Sequence, residues 1–296
     1  MAMYTDYIGR DIQGKKIYPV TEYSKSQRIA LLINIIRFYD PKSNRHGAEH
    51  DTKAMLNLFN YLGYDVLQYQ DLTAQEIDQA LIHFSKHPKL FHTDSVFVVL
   101  MSHGGTGTIC GSDLKDFKID TIYERLNTKN CPALMNKPKV IIIQACRGGN
   151  EGVVKVSGSR QSMATEYIRS PSKNVPKRST VYVEKDFIGF HSSTPYTYSY
   201  RIRKYGSDFI HYICDEIFAH CHKDHIEDLF KKVMQRFEDD PSEYMQMPTK
   251  ERDTLTKDFY LLPVAGINHL SPGEEHPCVR LKNPRVEPAG VRWLRP

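Results

Sequence analysis

Cys146 and His103 are the side chains of this sequence best suited to covalent chemistry, and each follows an apolar run that reads as a buried strand. Cys146 sits in Gln144-Ala145-Cys146-Arg147-Gly148, behind Val140-Ile141-Ile142-Ile143. His103 sits in Ser102-His103-Gly104-Gly105, behind Ser95 to Met101. A free thiol with a pKa near about 8.5 is only a few per cent thiolate at neutral pH, so a nucleophilic cysteine gains from a positioned base. An imidazole at another strand end supplies one. The neighbouring glycines lack a Cβ and let backbone N–H groups approach a developing oxyanion, for which the amides of Gly104 and Cys146 are the candidates. A structural thiol or a loop histidine would explain either residue alone. Two strand-end contexts together favour the pair.

The elements that must hold this pair follow from periodicity. Arg28 to Ile36 reads as a buried strand, and Gly47 to Leu62 as a helix with Met55, Leu58 and Leu62 on one face. Tyr64 to Tyr69 is a strand. Thr73 to Phe84 is a helix opened by an N-cap threonine with Glu76 three residues on. Ser95 to Met101 is a central strand, Thr121 to Leu126 a helix, and Lys139 to Gln144 the strand that carries the cysteine. Beyond a gap, Phe187 to His191 is a strand, Gly206 to His220 and His225 to Phe237 are helices, and Asp258 to Leu262 is a final strand. This alternation predicts an α/β fold with a largely parallel sheet and helices on both faces. In such sheets functional groups emerge at the carboxyl ends of the strands.

Composition removes other classes. With 296 residues and 40% apolar content the chain can build one large core. No apolar run approaches the about 20 residues of a membrane-spanning helix. The start, Met-Ala-Met-Tyr-Thr-Asp, lacks the basic and apolar regions of a signal peptide, so a cytoplasmic protein is expected. Six dispersed cysteines read as reduced thiols. The net charge of +5 is concentrated between Val153 and Val183, where six basic residues accompany the single acid Glu166. That stretch is Ser- and Pro-containing and reads as a solvated linker, not a nucleic-acid surface. In His220-Cys221-His222-Lys223-Asp224-His225, Cys221 and His225 are one helical turn apart, yet no second group of metal ligands accompanies them. A polar helix end is expected there.

The string QACRG, with a histidine roughly forty residues upstream, resembles the local signature of the caspases. The stretches NRHGAEHD, MSHGG, LNTKNCPALMNKPKVIIIQACRGG, EKDFIGFHSSTP and QMPTKERDTLTKDFYLLP extend the resemblance from Arg28 to Pro263, and their wording is most similar to the inflammatory caspases. The resemblance implies a three-layer sandwich with a mostly parallel six-stranded sheet. It divides the chain into a short N-terminal segment (1–24), a large-subunit-like half (25–150), a basic linker (151–185), a small-subunit-like half (186–263) and a Pro-rich tail (264–296) expected to be disordered. The first 27 residues are too few for a death-fold bundle, so a recruitment module is expected to be absent from this chain.

The same resemblance implies an endopeptidase that cleaves after aspartate through a Cys146/His103 dyad, with no cofactor. Arg45, Gln144 and Arg201 would line the pocket for the aspartate carboxylate, whose acceptor sites two guanidinium forks and an amide suit. The segment from Pro195 to Arg203 would form a groove wall that pairs with substrate as an added strand, with Tyr198, Ser199 and Tyr200 in contact with it. Tyr244 occupies the position where inflammatory relatives carry an outer-pocket arginine, and a backbone carbonyl near Ser43 would orient His103. Expected partners are proteins with exposed aspartate-containing loops and a second copy of the chain, or another caspase in a heterodimer, with neither nucleic acid nor membrane. Inflammatory or apoptotic cell-death signalling is the implied setting. The alternative is a catalytically weak or regulatory relative acting by heterodimerisation. From Arg147 to Lys185 the sequence has no aspartate, so self-cleavage in the linker has no evident site.

Overall fold

The apolar runs fold into the middle of one sheet, flanked by the helices their periodicity predicts. The computed structural model describes residues 16–148, 182–239 and 246–264, with the backbone of 287–288. In chain order these comprise α1 (Glu22–Ser26), β1 (Ile29–Asn34), α2 (Ala48–Leu62), β2 (Asp65–Gln70), α3 (Ala74–Ser85), β3 (Val96–Met101), β4 (Gly104–Gly105), β5 (Thr108–Cys110), β6 (Asp116–Lys118), α4 (Asp120–Leu126) and β7 (Lys139–Gln144). β8 (Phe187–His191), β9 (Tyr200–Arg201), α5 (Asp208–His220), α6 (Ile226–Asp239), β10 (Thr249–Glu251) and β11 (Glu287–Pro288) follow. Six strands form the central sheet in the order β10-β8-β7-β3-β1-β2. All neighbours are parallel except β10, which runs antiparallel on β8.

Successive residues of the inner strands point to opposite faces, and both faces are covered. Ala30, Leu32, Phe97, Val99, Val140 and Ile142 pack with α2, α5 and α6. Ile29, Leu31, Ile33, Val98, Ile141 and Ile143 pack on the other side with α3 and α4. The Thr73 capping box at the start of α3 forms as its Thr-x-x-Glu spacing dictates.

The antiparallel edge differs from the expectation. Asp258 to Leu262 is not a sheet strand; Asp258 and Tyr260 make only isolated bridges, to Ile17 and His225, while Phe259 and Leu261 are buried as an irregular segment. The sixth strand is the polar Thr249-Lys250-Glu251, which lies on an edge, pairs on one side only and carries no apolar alternation. The three-stranded sheet β4-β5-β6 was likewise silent in the sequence, its strands being two or three residues long. The 151–185 linker and the 264–296 tail lie outside the described residues, apart from 182–185, 264 and the backbone of 287–288. Residues 16–24 belong to the folded unit: Tyr18 is buried, its N–H bonds to Asp258 O (3.0 Å), and its hydroxyl donates to Asp186 Oδ1 (2.6 Å).

The ion pair of Arg28 with Asp94 is fully buried. Arg28 Nε donates to both carboxylate oxygens of Asp94 (3.0 and 3.1 Å), and its Nη1 ties Leu62 O and Leu262 O to the bottom of β1. Removing one partner strands the other charge in the core. Asp94→Ala should therefore lower unfolding free energy by about 3–5 kcal/mol in chemical denaturation, whereas Arg28→Met with Asp94→Leu should recover most of that loss. Equal stability of the single and double variants would refute the pairing.

Candidate active site

The carboxyl ends of β1, β3 and β7 are level. Asn34 is in register with Met101, and Met101 with Gln144. His103 therefore follows β3 by the same two residues as Cys146 follows β7, and Ser102 N–H closes the step by donating to Gln144 O (3.1 Å). Gly104 permits the approach: a Cβ there would sit 2.9 Å from Cys146 O and 3.0 Å from the Ala145 Cβ. His103 Nε2 donates to Ser43 O (2.7 Å), and Phe38 packs on its ring with centroids 5.0 Å apart. A carbonyl only accepts, so Nε2 carries a proton, which in the neutral ring leaves the lone pair on Nδ1.

Cys146 is 3% exposed. Its Sγ contacts Ser199 twice, donating to Ser199 O (3.4 Å) and accepting from Ser199 N–H (3.3 Å). Ser199 also receives Gln144 Nε2 on its hydroxyl (2.9 Å). Burial pushes the Cys146 thiol up, against the opposing pull of the Ser199 N–H and the charges of Arg45 and Arg201.

Those two arginines converge from distant segments. Arg45 is fully buried; its Nη1 donates to Asn34 Oδ1 and Ile35 O, both at 2.7 Å, while Nε and Nη2 make no hydrogen bond. Burial first, and then the like charge of Arg201, pull the Arg45 guanidinium down to about 9, so it remains cationic at neutral pH. Arg201, at the end of β9, is 8% exposed and its Nε donates to His46 O (3.0 Å). Gln144 is fully buried, and its Oε1 makes no hydrogen bond. Tyr198 and Tyr200 are half-buried, with ring centroids 6.3 Å apart. The fold thus gathers Cys146, His103, Gly104, Arg45, Gln144, Ser199 and Arg201, with both tyrosines beside them. Tyr244 lies outside the described residues.

Sequence reasoning missed the brackets that hold this wall. Gln246 donates to Ser192 O (2.6 Å) and accepts from Tyr200 N–H (2.9 Å). The Ser192 hydroxyl bridges the N–H and O of Ala145 (3.2 and 3.1 Å). Amide and hydroxyl side chains in irregular segments have no periodicity to betray them. Arg147 forms an ion pair with Glu251 of β10. The edge of β9 pairs antiparallel with β11, Glu287 opposite Arg201 and Pro288 opposite Tyr200.

The His220–His225 cluster disperses. Cys221 is buried beside the Tyr61 hydroxyl, His220 lies near Glu216, and His225 near Asp228. Among the described residues no group of His, Cys, Asp or Glu is arranged to hold a metal ion.

A family model described as the caspase domain matches residues 27–260. The chain belongs to the caspase family. It is 39% identical over 260 residues to caspase a of Danio rerio, covering 85% of this chain and 66% of that one. It is 41% identical to caspase-12 of Rattus norvegicus over 261 residues (85% and 61%) and 41% identical to caspase-1 of Canis lupus familiaris over 262 residues (85% and 63%). The chain thus spans less than two thirds of the length of these curated relatives. The crystal structure of caspase-1 from Spodoptera frugiperda superposes with a TM-score of 0.67 at 22% identity, covering 83% of this chain and 93% of that one. That likeness establishes the caspase fold, with its six-stranded, mostly parallel sheet.

The covered, neutral state of the caspase thiol has a measurable consequence. Iodoacetamide should alkylate Cys146 at pH 7 at least about tenfold more slowly than a free peptide cysteine, with the rate climbing through and beyond the ordinary thiol range. The sign follows from a raised pKa, which depletes thiolate at neutral pH. Peptide-level mass spectrometry resolves Cys146 from the other cysteines; a rate already at its plateau at pH 7 would show a preformed thiolate instead.

Proposed function

We propose that this chain is a cysteine endopeptidase that cleaves proteins after aspartate, with Cys146 as nucleophile and His103 as general base and acid. The observation that carries the reading is the pair of buried guanidinium groups, Arg45 and Arg201, set beside a thiol and Gln144. The Arg45 donors that make no hydrogen bond suit a carboxylate, which accepts planar, paired N–H bonds. Turning the Gln144 amide over would let the Ser199 hydroxyl donate to Oε1 and offer Nε2 to the same carboxylate. An apolar or cationic side chain would leave the arginines unpaired or repelled.

In the reaction, Sγ of Cys146 bonds to the main-chain carbonyl carbon of the aspartate and its proton passes to His103 Nδ1. The N–H groups of Gly104 and Cys146 hold the oxyanion. The C–N bond then breaks as His103 returns the proton to the leaving amine, and water, deprotonated by His103, releases the acyl group from sulfur. Ser43 O keeps the imidazole in the tautomer this requires. The edge of β9 is the surface for the substrate backbone, with Tyr198, Ser199 and Tyr200 along it.

Protein substrates with exposed aspartate-containing loops, a dimeric state, a cytoplasmic location and a part in inflammatory or cell-death signalling belong to the same proposal. The free, buried cysteines described suit a reducing compartment. No described helix is long and apolar enough to cross a membrane. Self-cleavage at Asp186 is disfavoured: the residue is 1% exposed, its N–H bonds to Thr254 O (3.2 Å), its O accepts from Lys139 N–H (2.8 Å), and Tyr18 holds its carboxylate. Dimerisation, or a protease acting on the basic linker, is the activating event.

Cys146→Ala should abolish hydrolysis of an aspartyl peptide, and unchanged turnover would sink the proposal. Arg45→Leu or Arg201→Leu should lower kcat/KM by about 10²–10³-fold, the cost of stranding a carboxylate without its partner. Incubated alone, the chain should yield no new N-terminus at Phe187. β11 occupies the β9 edge, so a chain ending at Val264 should show a lower KM for peptides; an unchanged KM would mean that β11 leaves this edge free in solution.

A further inference from the structure

β9 presents its backbone in an alternating pattern. Tyr200 N–H donates to Gln246 Oε1 (2.9 Å) and not to β11. In an antiparallel ladder neighbouring residues aim their N–H and C=O groups to opposite sides, which turns those of Ser199 and Arg201 the other way. Ser199 follows this rule: its N–H and its O both meet Cys146 Sγ, at 3.3 and 3.4 Å. The thiol therefore sits on the line that a strand added to β9 must follow.

β11 is such a strand, and its sequence fits the alternation. Glu287 stands opposite Arg201 and Pro288 opposite Tyr200. Proline has no N–H to offer, and at Tyr200, whose own N–H is engaged by Gln246, none is called for. Antiparallel pairing runs up one strand as it runs down the other, so the position after Pro288 corresponds to Ser199 and hence to the thiol. On a bound substrate this is the place of the residue whose carbonyl Cys146 attacks and whose carboxylate enters the pocket of Arg45 and Gln144. The sequence has Ala289 there, followed by Gly290. Alanine brings a carbonyl and no carboxylate.

We propose that the tail is an uncleaved pseudosubstrate held in the groove of its own chain: Glu287 and Pro288 pair with β9 as a substrate backbone does, and Ala289 takes the aspartate's place at Cys146 without its carboxylate. Strand pairing is kept, while the reaction is withheld for want of the recognised side chain. Tethering makes docking an intramolecular event, so even a weak ligand occupies the groove. A free substrate competes by adding what Ala289 lacks, the contacts of a carboxylate with the arginine fork. The inference rests on the aspartate-directed reading above and names the ligand that the groove holds before substrate arrives.

Ala289→Asp in the full chain should turn the tail from ligand into substrate. Cys146 Sγ bonds to the carbonyl carbon at position 289, the amine of Gly290 leaves with a proton, and water releases the acyl group, so the intact mass falls by the segment from Gly290 to Pro296. The rate constant should be the same when the chain is diluted about tenfold, because the tail is held by its own chain. The same substitution combined with Cys146→Ala should leave the chain whole. An Ala289→Asp chain that hydrolyses an aspartyl peptide yet keeps its tail, or trims it at a rate that rises with chain concentration, would overturn the proposal. A second measurement needs no turnover. Glu287→Pro removes the N–H that faces Arg201 and should speed alkylation of Cys146 by iodoacetamide about fivefold, the effect expected of one lost backbone bond. Pro288→Ala adds an N–H on the side away from β9 and should match the parent. Equal rates for the parent and both variants would also overturn the proposal. A chain that cleaves no aspartyl peptide yet shows this contrast in alkylation would overturn the aspartate-directed reading and leave the docked tail in place.

Discussion

The level parallel register of β1, β3 and β7 is the constraint on which the site depends. Three strands ending at one height deliver Asn34, Met101 and Gln144 to a common line, and the backbone that continues from β3 and β7 carries His103 and Cys146. A slip of one residue between β3 and β7 would turn every side chain of the strand to the other face and separate the His103 and Cys146 loops. The two apolar layers resist that slip, because both faces of each inner strand are buried. Core packing here is therefore positional as well as stabilising. The hydrogen bond from Ser102 to Gln144 extends the ladder just past the last paired residues, and irregular backbone begins only beyond it.

Above this frame the site concentrates groups that water would normally separate. Arg45 and Gln144 are fully buried, Arg201 and Cys146 nearly so, and Arg45 Nε and Nη2 and Gln144 Oε1 have no hydrogen bond. Buried polar groups left without a partner carry a desolvation cost, and a cluster of them marks a place where a ligand completes the network. Outside this region, the buried Arg28 is met by Asp94 and two carbonyls. Arg28 thus has a carboxylate partner in the core, whereas Arg45 donates to the neutral Asn34 Oδ1 and Ile35 O.

Most of the fold was legible because its signals are periodic. The continuous apolar runs of β1, β3 and β7, the capping box at Thr73 and the helical spacing of Met55, Leu58 and Leu62 each state a local rule that the tertiary structure obeys. The polar edge strand Thr249–Glu251 states none, and the more apolar Asp258–Leu262 drew the assignment away from it. Burial of Phe259 and Leu261 was foreseeable from their chemistry; that they reach the core without joining the ladder was not. In the site, Cys146 and His103 were marked out by their place at strand ends, while Asn34, Ser192 and Gln246 carried no such mark. Their roles arise from contacts between segments far apart in the chain, where residue type alone carries no direction.

The electrostatics of the pocket also constrain the order of events in the proposed reaction. Arg45 and Arg201 favour a thiolate at Cys146, but burial outweighs them and the thiol stays up. A substrate carboxylate entering between the arginines cancels part of their field, so the thiol loses cationic assistance at the moment attack is required. It must also displace the paired contacts from Ser199, which engage the S–H donor and one lone pair of sulfur. In the proposed reaction the proton goes to Nδ1 of His103, whose Nε2 is engaged by Ser43 O. The arrangement favours proton transfer coupled to attack over a standing thiolate–imidazolium pair, and it explains why a buried, protonated thiol in the unliganded chain is compatible with a nucleophile in the bound one.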